Sequence, residues 1–134
     1  MQIVKKEKVL DATELFTFDS ADLSTGGMST LDELVKATGG GTVAAITVTG
    51  HADRLGNDDY NMTLSQRRAN TVADYMIGKG VAAGAITAVG KGESEPVAQC
   101  DDTNWKALVE CLAPNRRVVV VYPVMIEEEV MIEN

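Results

Sequence analysis

The chain has 134 residues, of which 45% are apolar and 24% charged, and its formal net charge is −8. This length fits one domain with a single sizeable core. The acidic balance excludes a broad nucleic-acid footprint, which needs clustered lysine and arginine, and it disfavours adsorption to anionic lipid. No apolar run approaches the roughly 20 residues that span a bilayer. We therefore expect a globular domain that is not embedded in a membrane and does not bind nucleic acid.

The first half of the chain predicts a strand and a helix. Residues 8–18 carry alternating and branched apolar side chains, which favour a strand. Ser24 is placed to cap a helix with apolar residues at helical spacing up to the glycine run at 39–41. The first eight residues lack an apolar stretch of signal-peptide length. An exported protein would therefore be represented here by a fragment or a processed form.

The second half predicts three strands and a second helix. We predict strands over residues 42–49, 85–89 and 116–123, and a helix over about 62–78. The last strand is almost continuously apolar, so we expect it to be buried on both faces. The order β-α-β-α-β-β predicts an α/β fold, a two-layer sandwich with two main helices on a small mixed four-stranded sheet. We place the domain at 8–123, with an N-terminal extension at 1–7 and an acidic C-terminal tail at 124–134.

Two cysteines, Cys100 and Cys111, are the only ones in the chain. As a disulfide they would stabilise the fold by roughly 3 kcal/mol through the lost entropy of the unfolded chain. Two reduced thiols remain an open alternative. The segment between them begins with polar, loop-like residues, which favours the disulfide. A zinc site is disfavoured because the chain has one histidine and no CxxC pair.

The second helix places an arginine at the border of its apolar face. Ala69, Val72 and Met76 lie on that face. Arg68 lies at the edge of the face, four residues from both Leu64 and Val72. A half-sheltered guanidinium needs an anionic partner. That partner is either a nearby carboxylate in a structural ion pair or an anionic ligand near the start of the helix, where the helix dipole also favours negative charge.

Asp53 supplies the opposite charge. It follows the second strand, and the helix that carries Arg68 begins after one loop. In a strand-loop-helix unit those two ends meet at one edge of the sheet, so both side chains can face one cleft. They could pair with each other. They could instead receive a zwitterion, with the carboxylate taking an ammonium and the guanidinium taking a carboxylate.

Catalytic and metal motifs are weak. His51 is the only histidine, and no serine or cysteine lies in a nucleophile motif. The acidic residues after Asp53 do not have EF-hand spacing. We therefore predict no catalytic residue, no metal and no cofactor. A small hydrolase that uses His51 and Asp53 as an acid/base pair is the enzymatic alternative.

The run from Thr49 to Val81 resembles the signature of the OmpA-like C-terminal peptidoglycan-binding domain family. The family pattern is a TGHxD turn followed by an N-x-x-LS-x-x-RA-x-x-V helix. It is met here by Gly50, His51, Asp53, Asn61, Leu64, Ser65, Arg68, Ala69 and Val72. Ala52 departs from the pattern, where a threonine is usual. The two cysteines and the run CLAPNRRV are most similar to the periplasmic domain of the outer-membrane protein A branch of the family.

The resemblance implies a receptor for the meso-diaminopimelate of peptidoglycan stem peptides. By family position, Asp53 would hold the ammonium and Arg68 the carboxylate, with Asp19, Asn61 and Arg117 as weaker candidates at the rim. It also implies a periplasmic location, as part of an outer-membrane protein that is anchored to the cell wall. A stator-type wall-anchoring subunit with a motor partner is the alternative. The oligomeric state stays open, a homodimer included.

Overall fold

Four strands form one mixed sheet in a computed structural model that describes residues 2–38 and 45–126. The strands are β1 (Gln2–Asp11), β2 (Ile46–His51), β3 (Ile86–Gly90) and β4 (Arg117–Ile126). Their order across the sheet is β1-β4-β2-β3. β4 is antiparallel to both of its neighbours, and β2 is parallel to β3. The predicted α/β class and mixed four-stranded sheet are confirmed.

Four α-helices accompany the sheet within the described residues. They are α1 (Ala12–Leu15), α2 (Thr25–Ala37), α3 (Asp58–Gly78) and α4 (Trp105–Cys111). α2 begins as predicted, because the Ser24 hydroxyl accepts a hydrogen bond from the Gly27 amide at 2.9 Å. α3 starts four residues earlier than predicted, where Asn57 caps the Tyr60 amide. The predicted glycine stop of α2 and the start of the second strand, residues 39–44, lie outside the described residues.

The first strand differs from its prediction. β1 spans residues 2–11, so residues 2–7, predicted as an extension, form part of the sheet. The chain turns helical at Ala12, because the Asp11 carboxylate caps the Thr13 amide at 2.7 Å and the buried Ala12 and Leu15 fit helical spacing. At the other end β4 continues to Ile126 and takes in three residues of the predicted tail. Residues 127–134 lie outside the described residues.

In the part of the chain that the structure describes, α2 and α3 cover one face of the sheet. Along β4, Val118 and Val120 are fully buried, whereas Val119 and Val121, which alternate with them, keep partial exposure. The prediction that this strand is buried on both faces is therefore wrong. The buried face packs against α2 and α3 in a core that includes Leu10, Leu31, Leu34, Val48, Val72, Met76, Val118 and Val120.

α3 lies unusually close to the carboxyl ends of β2 and β3. A Cβ atom at Gly50 would lie 2.2 Å from the Ser65 carbonyl oxygen, and one at Gly90 would lie 2.4 Å from the Gln66 amide nitrogen. The Gln66 side chain also accepts a hydrogen bond from the Gly90 amide at 2.9 Å. Glycine is required at both strand ends, since only a residue without a side chain permits this approach. The approach fixes the part of α3 around residues 65–68 beside the loop that follows β2.

Candidate functional site

The carboxylate of Asp53 is buried just beyond the end of β2. The residue is 7% exposed. Its Oδ1 accepts a hydrogen bond from the Leu55 amide at 3.0 Å, and its Oδ2 accepts one from Arg116 Nη1 at 2.5 Å. Both oxygens are therefore held by fixed donors, and the negative charge has one close counterion.

Asn61 supports the loop that carries Asp53. Its Nδ2 donates to the carbonyl oxygens of Asp53 and Leu55, at 3.2 and 2.8 Å. The residue is 7% exposed, in the first turn of α3. The structure therefore gives this predicted rim residue a supporting role, since its amide ties the β2–α3 loop to the helix.

Arg68 is half-buried on α3 and does not pair with Asp53. Its Nε donates to the Ser20 carbonyl at 2.8 Å, and its guanidinium lies over the Phe16 ring, 5.0 Å from the centroid. Its terminal amino groups make no hydrogen bond within residues 2–38 and 45–126. Burial lowers the pKa of Arg68, and the nearby Asp19 offsets part of that effect. The terminal nitrogens thus form a fork of donors that is open to an anionic ligand and can bind a carboxylate.

Asp19 lies at the exposed edge of this region. Its backbone φ is +50°, a left-handed conformation, and its carboxylate accepts a hydrogen bond from the Tyr60 hydroxyl at 2.8 Å. That hydrogen bond raises the pKa of Tyr60. The contact ties the loop before α2 to the start of α3, and it places a second carboxylate in the electrostatic surroundings of Arg68.

Arg116, which the sequence analysis did not select, links the two predicted charges. It pairs directly with Asp53, and its positive charge lowers the pKa of Arg68. Among the described residues, Asp53 and Arg68 share no ion pair. The site therefore contains two arginines and two carboxylates, with Arg116 beside Asp53 and Arg68 near Asp19.

Arg117 lies away from these residues. Successive strand residues point to opposite faces, so Arg117 shares the open face of the sheet with Val119, whereas Val118 faces the helices. Its guanidinium is covered by the loop after β3 and donates to the carbonyl oxygens of Glu95 and Asn115, at 3.0 and 3.3 Å. The structure does not bring this predicted rim residue to the cleft. The neighbouring arginine reaches Asp53 instead.

His51 belongs to the same open face as Arg117, its partner across the strands. The residue is 5% exposed, and burial lowers its pKa. Its Nδ1 has no hydrogen-bond partner among the described residues. No hydrogen bond joins it to Asp53 in that part of the chain, where the Asp53 carboxylate accepts from Leu55 and Arg116.

The two cysteines form a disulfide, as predicted, with their Cα atoms 6.1 Å apart. Within the described residues, one group could offer three metal ligands: both cysteines and Asp102. Its sulfur atoms are bonded to each other and cannot act as thiolate ligands. The segment between the cysteines also contains α4, a helix that the prediction missed. Asn104 caps α4 by accepting a hydrogen bond from the Ala107 amide at 3.0 Å.

None of the helices in the described part of the chain combines the length and apolar character needed to cross a membrane.

Comparison with known proteins finds one family and several similar folds. The OmpA family matches residues 15–108. Outer membrane protein A of Shimwellia blattae is 42% identical over 124 residues, which cover 89% of this chain and 52% of that protein. The chain therefore spans about half the length of this relative.

Two solved structures share the fold. A cell wall anchor from Pseudomonas aeruginosa aligns with a TM-score of 0.73 and 30% identity, covering 88% of this chain and 80% of that one. The peptidoglycan-associated lipoprotein of Burkholderia pseudomallei aligns with a TM-score of 0.68 and 27% identity, covering 85% and 88%.

Proposed function

The chain belongs to the OmpA family, and from this membership we propose that it is a periplasmic domain that binds peptidoglycan and anchors an outer-membrane protein to the cell wall. The names of the two similar structures, a peptidoglycan-associated lipoprotein and a cell wall anchor, support the proposal. Binding is non-covalent and involves no cofactor. We expect no turnover of purified wall fragments.

The ligand is the side-chain end of meso-diaminopimelate in an uncrosslinked stem peptide. That end carries an ammonium and a carboxylate on one carbon atom. Asp53 takes the ammonium, and the terminal nitrogens of Arg68 take the carboxylate in a bidentate contact. The observation that carries the proposal is that the terminal nitrogens of half-buried Arg68 make no hydrogen bond within residues 2–38 and 45–126, while Asp53, just beyond the end of β2, supplies a buried carboxylate.

The surrounding contacts favour a preformed receptor. Asn61 holds the carbonyl of Asp53, while the Ser20 carbonyl and the Phe16 ring hold the stem and plane of Arg68. A preoriented site loses less conformational entropy on binding than a mobile one. Asp19 accepts the hydrogen bond of the Tyr60 hydroxyl and so holds the loop before α2 against the start of α3, beside Arg68.

The test is a calorimetric titration with matched muropeptides. One carries diaminopimelate, and the other carries lysine, which lacks the terminal carboxylate. We expect at least tenfold weaker binding of the lysine peptide, about 1.4 kcal/mol, because the Arg68 guanidinium then has no anionic partner. The dissociation constant of the diaminopimelate peptide should fall between about micromolar and millimolar, since the ligand makes few contacts. Equal affinities for the two peptides would refute the role of Arg68.

A further inference from the structure

The disulfide loop, residues 100–111, accepts hydrogen bonds from two arginines. One is the chain neighbour of Asp53, and the other is its ion-pair partner. Arg54, next to Asp53 in the chain, donates to the Cys100 carbonyl oxygen at 2.7 Å. Arg116 donates through one nitrogen to the Asp53 carboxylate and to the Val109 carbonyl oxygen, at 2.5 and 3.3 Å. The two ends of the loop are thus each held by an arginine that also belongs to the surroundings of Asp53.

We propose that Arg116 is a positioning residue for the ligand ammonium: it fixes the Asp53 carboxylate, and the disulfide loop fixes Arg116 through the carbonyl of Val109. The inference rests on the proposed function and extends it. It assigns a binding role to an arginine that does not itself contact the ligand, and it couples the affinity of the site to the redox state of the cysteines.

The acceptor capacity of the Asp53 carboxylate allows an ammonium to bind in addition to Arg116. An ionised carboxylate offers about four acceptor positions. One is used by the Leu55 amide and one by Arg116. Because the two donors hold different oxygens, they select one orientation of the carboxylate, and each oxygen keeps a lone pair for the ligand. Without Arg116, the carboxylate would keep one fixed bond and could rotate.

The position of Arg116 depends on the loop. The Arg116 amide donates to the Ala113 carbonyl at 3.0 Å, in the turn that joins α4 to β4. α4 has seven residues, and a helix this short is not stable by itself in water. The bond between Cys100 and Cys111 constrains it. Reduction by a dithiol transfers two electrons and two protons to the bond, gives two thiols, and converts the dithiol to its own disulfide. The Val109 carbonyl then loses its fixed position.

The test separates positioning from a general structural role by its dependence on the ammonium. One ligand is the stem tripeptide with meso-diaminopimelate, and the other is the same tripeptide with 2-aminopimelate, which lacks the amino group at the side-chain end. For Arg116→Ala we expect about tenfold weaker binding of the first and less than twofold weaker binding of the second. Arg116→Lys should recover part of the affinity, because it keeps a cation that can donate to Asp53.

Three results would overturn the inference. Equal losses for both tripeptides would make Arg116 a structural residue only. If Arg116→Ala protein bound the diaminopimelate peptide as well as the unsubstituted protein does, Arg116 would have no role in binding. If it bound the peptide more tightly, Arg116 would compete with the ammonium for Asp53. If the unsubstituted protein failed to bind the diaminopimelate peptide at all, the proposed function would fail as well, so the two failures are distinguishable.

The redox part is tested with dithiothreitol and with the double substitution Cys100→Ser and Cys111→Ser. Both should weaken binding of the diaminopimelate peptide several-fold at a temperature where circular dichroism shows a folded protein. In Arg116→Ala protein neither should weaken it further, because the loop acts through Arg116. A further loss in that background, or no loss in the unsubstituted protein, would contradict the coupling. If the double substitution does not fold, the Arg116 measurements still decide the positioning role.

Discussion

Replacing Arg68 by alanine should abolish wall binding and leave the domain folded. The side chain contributes to the fold through one hydrogen bond to the Ser20 carbonyl and a cation–π contact with Phe16. A hydrogen bond from a charged donor contributes about 1.5–3 kcal/mol, and a partly buried cation–π contact about 1 kcal/mol. Because Ser20 is partly exposed, water replaces the lost donor, and we expect a loss of about 2 kcal/mol.

The expected loss of binding is larger and of a different kind. A bidentate contact to a carboxylate consists of two charge-assisted hydrogen bonds, together about 3 kcal/mol or more. That free energy corresponds to more than a hundredfold in the dissociation constant. A domain of ordinary stability, about 5–15 kcal/mol, stays almost entirely folded after losing about 2 kcal/mol. Unfolding therefore cannot account for a hundredfold effect.

The assay is co-sedimentation with insoluble peptidoglycan, together with titration of the diaminopimelate peptide and thermal unfolding. At about 4 °C per kcal/mol for a domain of this size, the Tm should fall by about 8 °C. Arg67→Ala is the matched control, since Arg67 is the exposed neighbour on α3 and its removal changes the net charge equally. Unchanged sedimentation of Arg68→Ala protein would refute the assignment. If Arg67→Ala protein lost sedimentation to the same extent, the effect would come from the change in net charge and not from a specific contact of Arg68.

Three further predictions concern stability. Gly50→Ala should destabilise the fold by about 3 kcal/mol or more in denaturant titration, because the new Cβ would lie 2.2 Å from the Ser65 carbonyl and force α3 off the sheet. The pKa of His51 is lowered from its ordinary value of 6.5, so the unfolded state binds more protons. Stability should therefore fall as the pH drops below about 6.5, and His51→Gln should remove that part of the slope. Reducing the bond between Cys100 and Cys111 should cost about 3 kcal/mol of unfolding free energy.

Each of the three has a control. Gly78→Ala, at the end of α3 where a Cβ meets nothing within 4 Å, should be neutral or slightly stabilising; an equal cost at both glycines would contradict the close approach. The free energy of unfolding is measured between pH 7.5 and 5.5 for the unsubstituted protein and for His51→Gln. Identical slopes against pH would mean that the burial of His51 does not contribute to the pH dependence. An unchanged free energy of unfolding under reducing conditions would show that the disulfide does not stabilise the fold.

The fold class and the amphipathic helix follow from local sequence patterns. Ala69, Val72 and Met76 recur with the period of a helix, and all three are buried against the sheet. Ser24 caps α2 as its side chain predicts, because a hydroxyl at that position satisfies a free amide of the first turn. The position of Asp53 just beyond β2 likewise follows from the sequence, since one loop joins the end of β2 to α3. These features depend on residues that are close in the chain, so the sequence shows them directly.

The resemblance to a family pointed to the same two charges, and the family itself is confirmed by the comparisons. The roles of Asp53 and Arg68 in binding diaminopimelate remain predictions. What the pattern left open was whether the two side chains pair with each other. The structure separates them: Asp53 pairs with Arg116, and Arg68 with the Ser20 carbonyl.

Tertiary structure alone decided which of two adjacent arginines reaches the site. Arg117 is the first residue of β4, whereas Arg116 lies in the turn just before it, and nothing local distinguishes the two arginines. The choice depends on the register of β4, which pairs Arg117 with both Asp11 and His51. Those partners lie many positions away in the chain. A shift of one residue in this pairing would exchange the two faces. The local sequence therefore determines the helices and strands, whereas the long-range strand pairing determines that Arg116, and not Arg117, pairs with Asp53.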